Sequence, residues 1–310
     1  MAKAGGGVEG MAGIVLKAAL SSLALLALPA SASAEIVVRD DIGGTVRLER
    51  PAQRIVTLAP HLAETVFAAG AGAWIVGTVE YSTYPEEAKK IARVGGFSQL
   101  DLEAVASLKP DLVIAWQTGN AQAQVDKLRK LGFPVYVSQP DRIEGIAAEI
   151  ERIGQLAGTG KAADAAAKSI RERMGALQKR FGSRPPVRVF YEIWNQPLTT
   201  VGGRQIISSV IRMCGGENVF GSLAAMAPAV TLESVLAANP EAIIASGMGE
   251  ARPEWLDEWK LRAGLLATQR QNLFFIPPDL IQRHTPRLLE GAEQLCRHLE
   301  TARSRRPPGK

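Results

Sequence analysis

Five aromatic side chains fall at the ends of predicted strands or in the loops that follow them: Tyr81, Tyr84, Phe97, Trp116 and Trp194. Open α/β sheets bind their ligands at the carboxyl ends of strands. Rings grouped at this edge would hold a flat ligand of mixed apolar and polar character. Each ring taken alone is more often a packing residue, because large aromatic side chains dominate cores. The group as a whole therefore predicts a surface for a planar ligand.

Histidine and arginine add polar chemistry near the same edge. His61 follows the first predicted buried strand in RIVTLAPHLAETVF, and Arg283 and His284 lie in PPDLIQRHTPR, before the last helix. A neutral imidazole can accept a hydrogen bond from a ligand amide, and it is also a good nitrogen ligand for cobalt or iron. We expect a hydrogen-bonding role for His61, with metal coordination as the alternative. Arg283 is expected either to reach a ligand carboxamide or to be solvated.

The sequence contains no recognised catalytic signature. It lacks a G-x-S-x-G elbow and a Walker A motif, and the segment AAGAGAWI has isoleucine where a dinucleotide fingerprint needs a small residue. Its three histidines have no metal-ligand spacing, and His298 in the last helix is expected to be solvated. The sequence favours a binding protein without a cofactor or metal of its own. An exported enzyme is the alternative.

One pattern occurs twice: LDLEAVASLKPDLVIAW at 100–116 and VTLESVLAANPEAIIAS at 230–246. Each copy predicts a helix that begins at an acidic residue, ends at a proline and leads into a buried strand. Glu103 and Glu233 hold matched positions in the two copies. A helix dipole favours an acid in the first turn by ~0.3–1 kcal/mol, but it does not require the same residue twice. A partner with two equivalent basic pockets does require it.

Strands alternate with helices through both halves of the chain, which predicts an α/β fold of two Rossmann-like lobes with mostly parallel sheets, residues 35–141 and 185–300. Residues 142–184 have no strand pattern and many helix formers, interrupted once by Gly158-Thr159-Gly160. We interpret them as a long backbone helix that joins the lobes. A pair of surface helices within one domain is the alternative.

Residues 1–34 predict a secretory signal peptide. The apolar run AALSSLALLALPA precedes Ala32-Ser33-Ala34, and cleavage is expected after Ala34, with Met1 or Met11 as the start. The run is shorter than the ~20 residues that a membrane anchor needs. No cysteine follows it, which argues against a lipid anchor. The mature protein is therefore expected outside the cytoplasm.

The formal net charge of +5 is concentrated at the carboxyl end. The last ten residues, TARSRRPPGK, contain four basic side chains and no acidic ones, so the remaining mature chain is close to neutral. We interpret residues 301–310 as a disordered basic tail. A nucleic-acid partner is not expected, because it would need a basic stripe on the folded body.

The chain has two cysteines, Cys214 and Cys296. An even number in an exported protein suggests a disulfide, and two free buried thiols are the alternative.

Five segments, RIVTLAPHLAETVFAAGAG, YSTYP, LEAVASLKPDLVIAW, CGGENVF and HTPRLLEGAEQLC, occur in family order over residues 36–300. Together they resemble the periplasmic substrate-binding proteins of cobalamin (corrinoid) ABC importers, which belong to the helical-backbone class (class III). The resemblance implies a monomer that captures cobalamin in the cleft between its lobes and delivers it to a membrane permease. Haem and ferric-siderophore binding proteins share the scaffold, so haem or a siderophore is the alternative ligand.

The resemblance also assigns residues by position. It places Tyr81, Phe97 and Trp116 as ring contacts, His61 on a ligand-facing loop and Arg283 near the ligand. It pairs the two cysteines in a disulfide and implies that the two repeat glutamates dock into permease arginines.

The chain also departs from the family in the second lobe. Ala227 stands where a cobalamin-binding relative has tryptophan, and Ile193 and Thr199 stand where it has aromatic residues. Trp194 is expected to replace part of that surface.

Overall fold

The computed structural model describes residues 35–247, 249 and 251–307, which form one compact unit. The predicted signal peptide lies outside the described residues. Within these ranges no helix is long and apolar enough to cross a membrane.

The first half of the chain is built around a four-stranded parallel sheet with the strand order β4-β3-β7-β8. Its buried strands are β-branched runs, as expected for a sheet covered on both faces. The strands of this half are β1 (Ile36–Arg39), β2 (Thr45–Leu48), β3 (Ile55–Thr57), β4 (Ile75–Thr78), β5 (Gly95–Gly96), β6 (Gln99–Leu100), β7 (Leu112–Trp116) and β8 (Val135–Ser138). Its helices are α1 (Pro60–Ala68), α2 (Leu102–Ser107) and α3 (Gln122–Lys130), with 3-10 turns at Gly72–Trp74 and Glu86–Lys90. β1 with β2, and β5 with β6, form antiparallel hairpins outside the sheet.

Two helices follow, α4 (Ile143–Ala157) and α5 (Gly160–Phe181). Ile146, Ile150 and Ile153 of α4 are fully buried and recur at helical spacing, so one face of α4 packs on the core. Gly158 ends α4 with φ of +70°, a left-handed conformation that glycine adopts without steric cost. The predicted helical segment is therefore two helices separated by a two-residue break at Gly158 and Thr159.

The second half repeats the first, with a four-stranded parallel sheet ordered β12-β9-β13-β14. Its strands are β9 (Val187–Glu192), β10 (Trp194–Asn195), β11 (Leu198–Thr199), β12 (Gly216–Asn218), β13 (Ala242–Ala245) and β14 (Leu273–Phe275). Its helices are α6 (Ile206–Met213), α7 (Leu232–Ala238), α8 (Leu266–Gln269), α9 (Pro278–Ile281) and α10 (Leu288–Ser304), with a 3-10 segment at Glu254–Leu261. The strand order matches that of the first sheet, which confirms the predicted α/β fold with two parallel sheets.

The duplicated pattern extends to the ends of α2 and α7. Asp101 accepts a hydrogen bond from the Ala104 N–H at the start of α2, and Thr231 does so from the Ser234 N–H at the start of α7. Lys109 and Asn239 then follow the two helices in the left-handed conformation, each before a proline. The predicted order of helix, stop and buried strand is therefore present in both halves.

The carboxyl end differs from the expected disordered tail. Helix α10 continues to Ser304, and Arg306 binds both carboxylate oxygens of Glu241 at 2.6 and 2.8 Å. Arg303 donates to the Cys214 carbonyl at 2.9 Å and Arg305 to the Gln271 carbonyl at 2.6 Å. The prediction of disorder was wrong for residues 301–307, because each arginine has an acceptor on the body; residues 308–310 lie outside the described part.

His298 is also not solvated as expected. Its ring stacks on Phe274 with centroids 4.6 Å apart, and burial lowers its pKa below the ordinary histidine value. The side chain is part of the packing between α10 and β14.

The two cysteines form a disulfide. Cys214 directly follows α6 and Cys296 lies in α10, with Cα atoms 4.7 Å apart and a sequence separation of 82. The bond joins the first and last helices of the second half, which confirms the predicted pairing.

Candidate ligand-binding cleft

A cavity of about 510 Å³ is lined by residues from both halves of the chain. The first half contributes Pro60, His61, Tyr81, Phe97 and Trp116, and the second contributes Pro278, Asp279, Gln282, Arg283 and His284. These residues lie in or beside segments that follow the carboxyl ends of strands, as expected for a parallel α/β sheet. The cleft therefore collects five of the six predicted ligand-binding residues and leaves out Trp194.

Aromatic rings, two of them exposed, cover the first-half wall of the cleft. Tyr81 is 71% exposed and Phe97 is 37% exposed, so neither ring is part of the core. Trp116 is the last residue of β7, and its ring centroid lies 5.8 Å from that of Phe97. The three rings form an aromatic surface that is open to a planar molecule.

Asn120 holds two of these aromatic residues in place. Its side-chain oxygen accepts a hydrogen bond from the backbone N–H of Trp116 at 2.6 Å. Its side-chain amide nitrogen donates to the backbone carbonyls of Phe97 at 2.7 Å and Leu58 at 2.8 Å. The amide thus joins three loops with one buried side chain. Sequence analysis missed it; the available signal was an asparagine four residues after a strand-end tryptophan.

Two histidines face each other at the base of the cleft. His61 and His284 are 6% and 5% exposed, and their ring centroids are 5.8 Å apart. His61 Nε2 and His284 Nδ1 have no hydrogen-bond partner among the described residues. Burial lowers the pKa of His284 to about 4 and that of His61 well below its ordinary value, so both imidazoles are neutral near pH 7.

His61 belongs to the first turn of α1 and not to the loop before it. Its ring meets the edge of Trp116 with centroids 5.0 Å apart. Helix α1 therefore fixes the position of His61 next to the aromatic surface.

A buried ion pair joins the two halves beside the histidines. Arg283 Nη1 donates a hydrogen bond to Glu64 Oε1 at 2.7 Å, and Arg283 Nη2 forms an ion pair with Asp279 Oδ1 at 2.9 Å. Glu64 is 3% exposed; burial raises the pKa of its carboxyl, and Arg283 and Arg287 oppose this shift. Arg283 is therefore held by carboxylates and is not simply solvated. Sequence analysis missed Glu64, although a carboxylate three residues after His61 in an apolar helix was a signal for it.

Two predicted aromatic residues lie outside the cleft lining. Tyr84 packs under the Arg287 guanidinium, 4.2 Å from the ring centroid, and lines a separate cavity. Trp194 is 38% exposed and pairs with Thr199 in the β10–β11 hairpin. Residues paired across a ladder point to the same face, so Trp194 and Thr199 share one face of the hairpin, and Asn195 and Leu198 share the other.

The two repeat glutamates occupy equivalent exposed sites. Glu103 and Glu233 are each the second residue of their helix. The pKa of Glu233 is lowered by hydrogen bonds that its carboxylate accepts from its own backbone N–H and from the Thr231 side chain. Neither side chain is in an ion pair with any described residue, so both carboxylates are available to a partner.

The chain belongs to the periplasmic binding protein family, whose model matches residues 55–280. It is 36% identical over 256 residues to the vitamin B12-binding protein of Vibrio campbellii, covering 83% of this chain and 92% of that protein. It is 33% identical over 252 residues to the protein of the same name from Yersinia pestis, covering 80% of this chain and 86% of that one. Both relatives are vitamin B12-binding proteins, so the resemblance inferred from the sequence to this family is confirmed.

Solved structures share the fold. The vitamin B12-binding protein BtuF of Vibrio cholerae superposes with a TM-score of 0.75 at 35% identity, covering 82% of this chain and 98% of that one. The haem-binding protein HutB of Vibrio cholerae superposes with a TM-score of 0.69 at 20% identity, covering 80% and 98%. The second match, at low identity, shows the fold alone.

Proposed function

We propose that this protein is a periplasmic substrate-binding protein that captures cobalamin or a related corrinoid in its cleft and delivers it to an ABC transporter permease. The observation that carries the proposal is the aromatic surface of Tyr81, Phe97 and Trp116 above two buried neutral imidazoles. A corrin ring is flat and bears peripheral amides, so rings on one wall and polar groups at the base suit it. The cleft of about 510 Å³ lies within the ~300–1,000 Å³ usual for ligand pockets.

Titration calorimetry with cyanocobalamin tests the proposal. We expect saturable binding of one molecule per chain. A chain that binds haem but shows no heat with cyanocobalamin, cobinamide or aquocobalamin would contradict the corrinoid assignment.

Haem is the second candidate ligand, because His61 and His284 place neutral imidazoles beside the aromatic surface, and imidazole is a good ligand for iron as well as cobalt. Absorption spectra separate the possibilities. A shifted Soret band that is lost in His61→Ala would support haem coordination. Identical spectra of aquocobalamin bound to the parent and to His61→Ala would exclude coordination of cobalt by His61.

Arg283 and Trp194 complete the proposed ligand contacts. Arg283 lines the cleft and is fixed by Glu64 and Asp279, so a guanidinium edge can meet ligand amides without reorganisation. Trp194 shares its hairpin face with Thr199, a position that the family resemblance places at the ligand. A small hinge movement of the second half toward a bound ligand would bring Trp194 into contact.

Glu103 and Glu233 are proposed to dock into the permease. Their equivalent helix positions, exposure and lack of an ion pair among described residues support this role. A transporter with two equivalent basic pockets would engage both carboxylates at once.

The remaining organisation follows from the same proposal. Residues 35–141 and 185–300 form the two lobes and residues 142–184 connect them, in a monomeric periplasmic chain released by cleavage after Ala34. It has no catalytic activity, no cofactor of its own and no nucleic-acid partner. Intact-mass measurement of the exported protein and light scattering of the eluted peak test the cleavage site and the monomer.

A further inference from the structure

A further cavity, of about 180 Å³, lies in the second half of the chain and shares no lining residue with the cleft. We call it the side cavity. Two indole rings, two carboxyl groups and two leucines line it: Trp255, Trp259, Glu192, Glu258, Leu198 and Leu232. Leu198 belongs to the hairpin face opposite Trp194, and Leu232 precedes Glu233 in α7. The side cavity therefore lies behind the hairpin and not on the ligand face.

The internal duplication shows that Glu192 is an unusual residue for its position. In the first sheet Ile55 is paired with Leu112, and in the second Val189 is paired with Ala242, the residue that lies 130 positions after Leu112 and matches it in the repeated pattern. Counting along both strands from these pairs makes Glu192 the equivalent of Leu58. Leu58 is fully buried in the core, so the second half has a carboxyl group where the first half has an apolar core side chain.

This carboxyl group is buried and has one identified partner. Glu192 is 1% exposed, and its Oε2 accepts a hydrogen bond from Trp259 Nε1 at 2.8 Å. No described residue forms an ion pair with it. Burying a carboxyl group is unfavourable unless it is paired, so a leucine would stabilise the lobe better. The side chain is therefore better explained by an occupant of the side cavity than by packing.

The charge on Glu192 responds to such an occupant. Burial raises the pKa of Glu192 to about 8, the Trp259 indole opposes the shift, and the charge of Glu258 adds to it. The carboxyl group is thus mostly protonated at pH 7, and a cation beside it would favour the ionised form. The other charged groups lining the cavity are Glu258 on the 3-10 segment and Arg262 directly after it, both exposed; Asn195 of the hairpin and Leu232 of α7 are uncharged.

We propose that the side cavity binds a small organic cation with a primary or quaternary ammonium group. Indole faces attract such cations, and the two carboxyl groups supply the opposite charge. The cavity is smaller than the ~300 Å³ at which pockets for drug-sized ligands begin, so the occupant must be small. Arg262 at the rim disfavours a second positive charge, which restricts the ligand to one cationic end. Binding removes one proton from Glu192 and releases it to the buffer.

Choline and its uncharged carbon analogue 3,3-dimethyl-1-butanol, titrated into the mature protein, test the proposal. They have nearly the same shape, so the charge alone is compared. We expect choline to bind at least ten times more tightly than the alcohol. Its affinity should rise about tenfold between pH 6 and pH 7 and level off above about pH 8, because binding needs the ionised carboxyl group. Titrations in buffers of different ionisation enthalpy should report the released proton.

Three variants locate the effect. Glu192→Gln keeps the shape and should remove both the binding of choline and the proton release. Trp255→Leu, at a half-buried position, should weaken choline binding about tenfold with the pH dependence intact. Glu258→Gln should weaken it less and leave the proton release unchanged. Cyanocobalamin titrations of each variant should match the parent, which separates this site from the cleft.

Equal affinities for choline and the alcohol would overturn the proposal. So would a Glu192→Gln protein that folds normally and binds choline as the parent does, or the absence of saturable choline binding up to about 10 mM at pH 8.5, where the carboxyl group is ionised.

Discussion

Arg283 of the second lobe donates a 2.7 Å hydrogen bond to Glu64 of the first lobe, so an arginine that lines the cleft is held by a buried carboxylate across the lobe boundary. Arg287 approaches the same carboxylate oxygen at 3.7 Å. One side chain on α1 thus receives two guanidinium groups from the segment that leads into α10. The base of the cleft is also the main charged contact between the lobes.

Replacing Glu64 by glutamine should destabilise the protein by about 2–4 kcal/mol. The change removes one of the two carboxylates that neutralise the positive charge of the half-buried Arg283. Because Asp279 still pairs with Arg283, the loss in free energy of unfolding should stay below the upper end of this range. Urea unfolding at pH 7 measures the change. Glu87→Gln, an exposed change nearby, should stay within ~0.5 kcal/mol of the parent, and an equally small loss for Glu64→Gln would show that the pair contributes little.

Asn120→Ala should weaken cyanocobalamin binding about tenfold and lower the free energy of unfolding by about 1–3 kcal/mol. The substitution leaves three backbone groups, of Trp116, Phe97 and Leu58, without their partner. Calorimetry and urea unfolding give the two values. Parental affinity in a clearly destabilised variant would mean that the aromatic surface does not depend on this amide.

Tyr81→Ala should weaken corrinoid binding by ~1–3 kcal/mol, as removal of a stacked ring does for bases bound to aromatic side chains. Because the Tyr81 ring is 71% exposed, the melting temperature should be unchanged. Trp116→Ala should lose at least as much affinity and also some stability, since its ring packs against the core. Unaltered binding in both variants would place the ligand elsewhere.

Glu103→Ala and Glu233→Ala should each reduce uptake by reconstituted permease vesicles, and the double variant should nearly abolish it. Cyanocobalamin affinity should stay at the parental value, because both carboxylates lie outside the cleft lining. The defect of the single variants should shrink at high salt, where exposed charges are screened. Parental uptake by the double variant, or loss of ligand binding in the isolated protein, would refute the docking role.

The free energy of unfolding of the Glu149→Gln variant, compared with that of the parent at the same pH, should increase as pH rises. Burial and the charge of Asp41 raise the pKa of Glu149 to about 8 from the ordinary 4.5, and Ser138 and Arg152 oppose this shift only in part. The folded state therefore holds a proton that the unfolded state has lost, so parental stability falls between these two pH values by up to ~1.4 kcal/mol per unit.

Urea unfolding of parent and variant at pH 5 and pH 8 measures this difference, which should grow by at least about 2 kcal/mol in favour of the variant. Glu144→Gln, an exposed change on the same helix, should show no such growth. A constant difference across pH would mean that Glu149 ionises normally in the folded protein.

Local sequence patterns were sufficient to predict the two sheets and the matched helices of Glu103 and Glu233. The caps, the helix-ending prolines and the β-branched strands all act within about ten residues of chain. They also predicted that five aromatic residues would meet at one edge, because parallel strands end together. Tyr81, Phe97 and Trp116 line the cleft, whereas Tyr84 and Trp194 lie outside its lining.

Long-range partners were not predictable in this way. Glu64 and Arg283 are 219 residues apart, and Arg306 and Glu241 are 65 apart, so no local pattern connects them. The same reason explains the wrong expectation of a disordered tail. A run of arginines is typical of disorder unless carboxylates elsewhere in the fold are placed to receive it.

Helices α4 and α5 connect the lobes with a single residue, Thr159, between Gly158 and the start of α5. A ligand that enters such a preformed cleft spends little free energy on ordering the chain. Differences in affinity among ligands and variants should then appear chiefly as differences in residence time, with association rates close to one another. In transport, the slow step would be departure of the ligand from the cleft, which the permease would have to accelerate by pulling on the lobes.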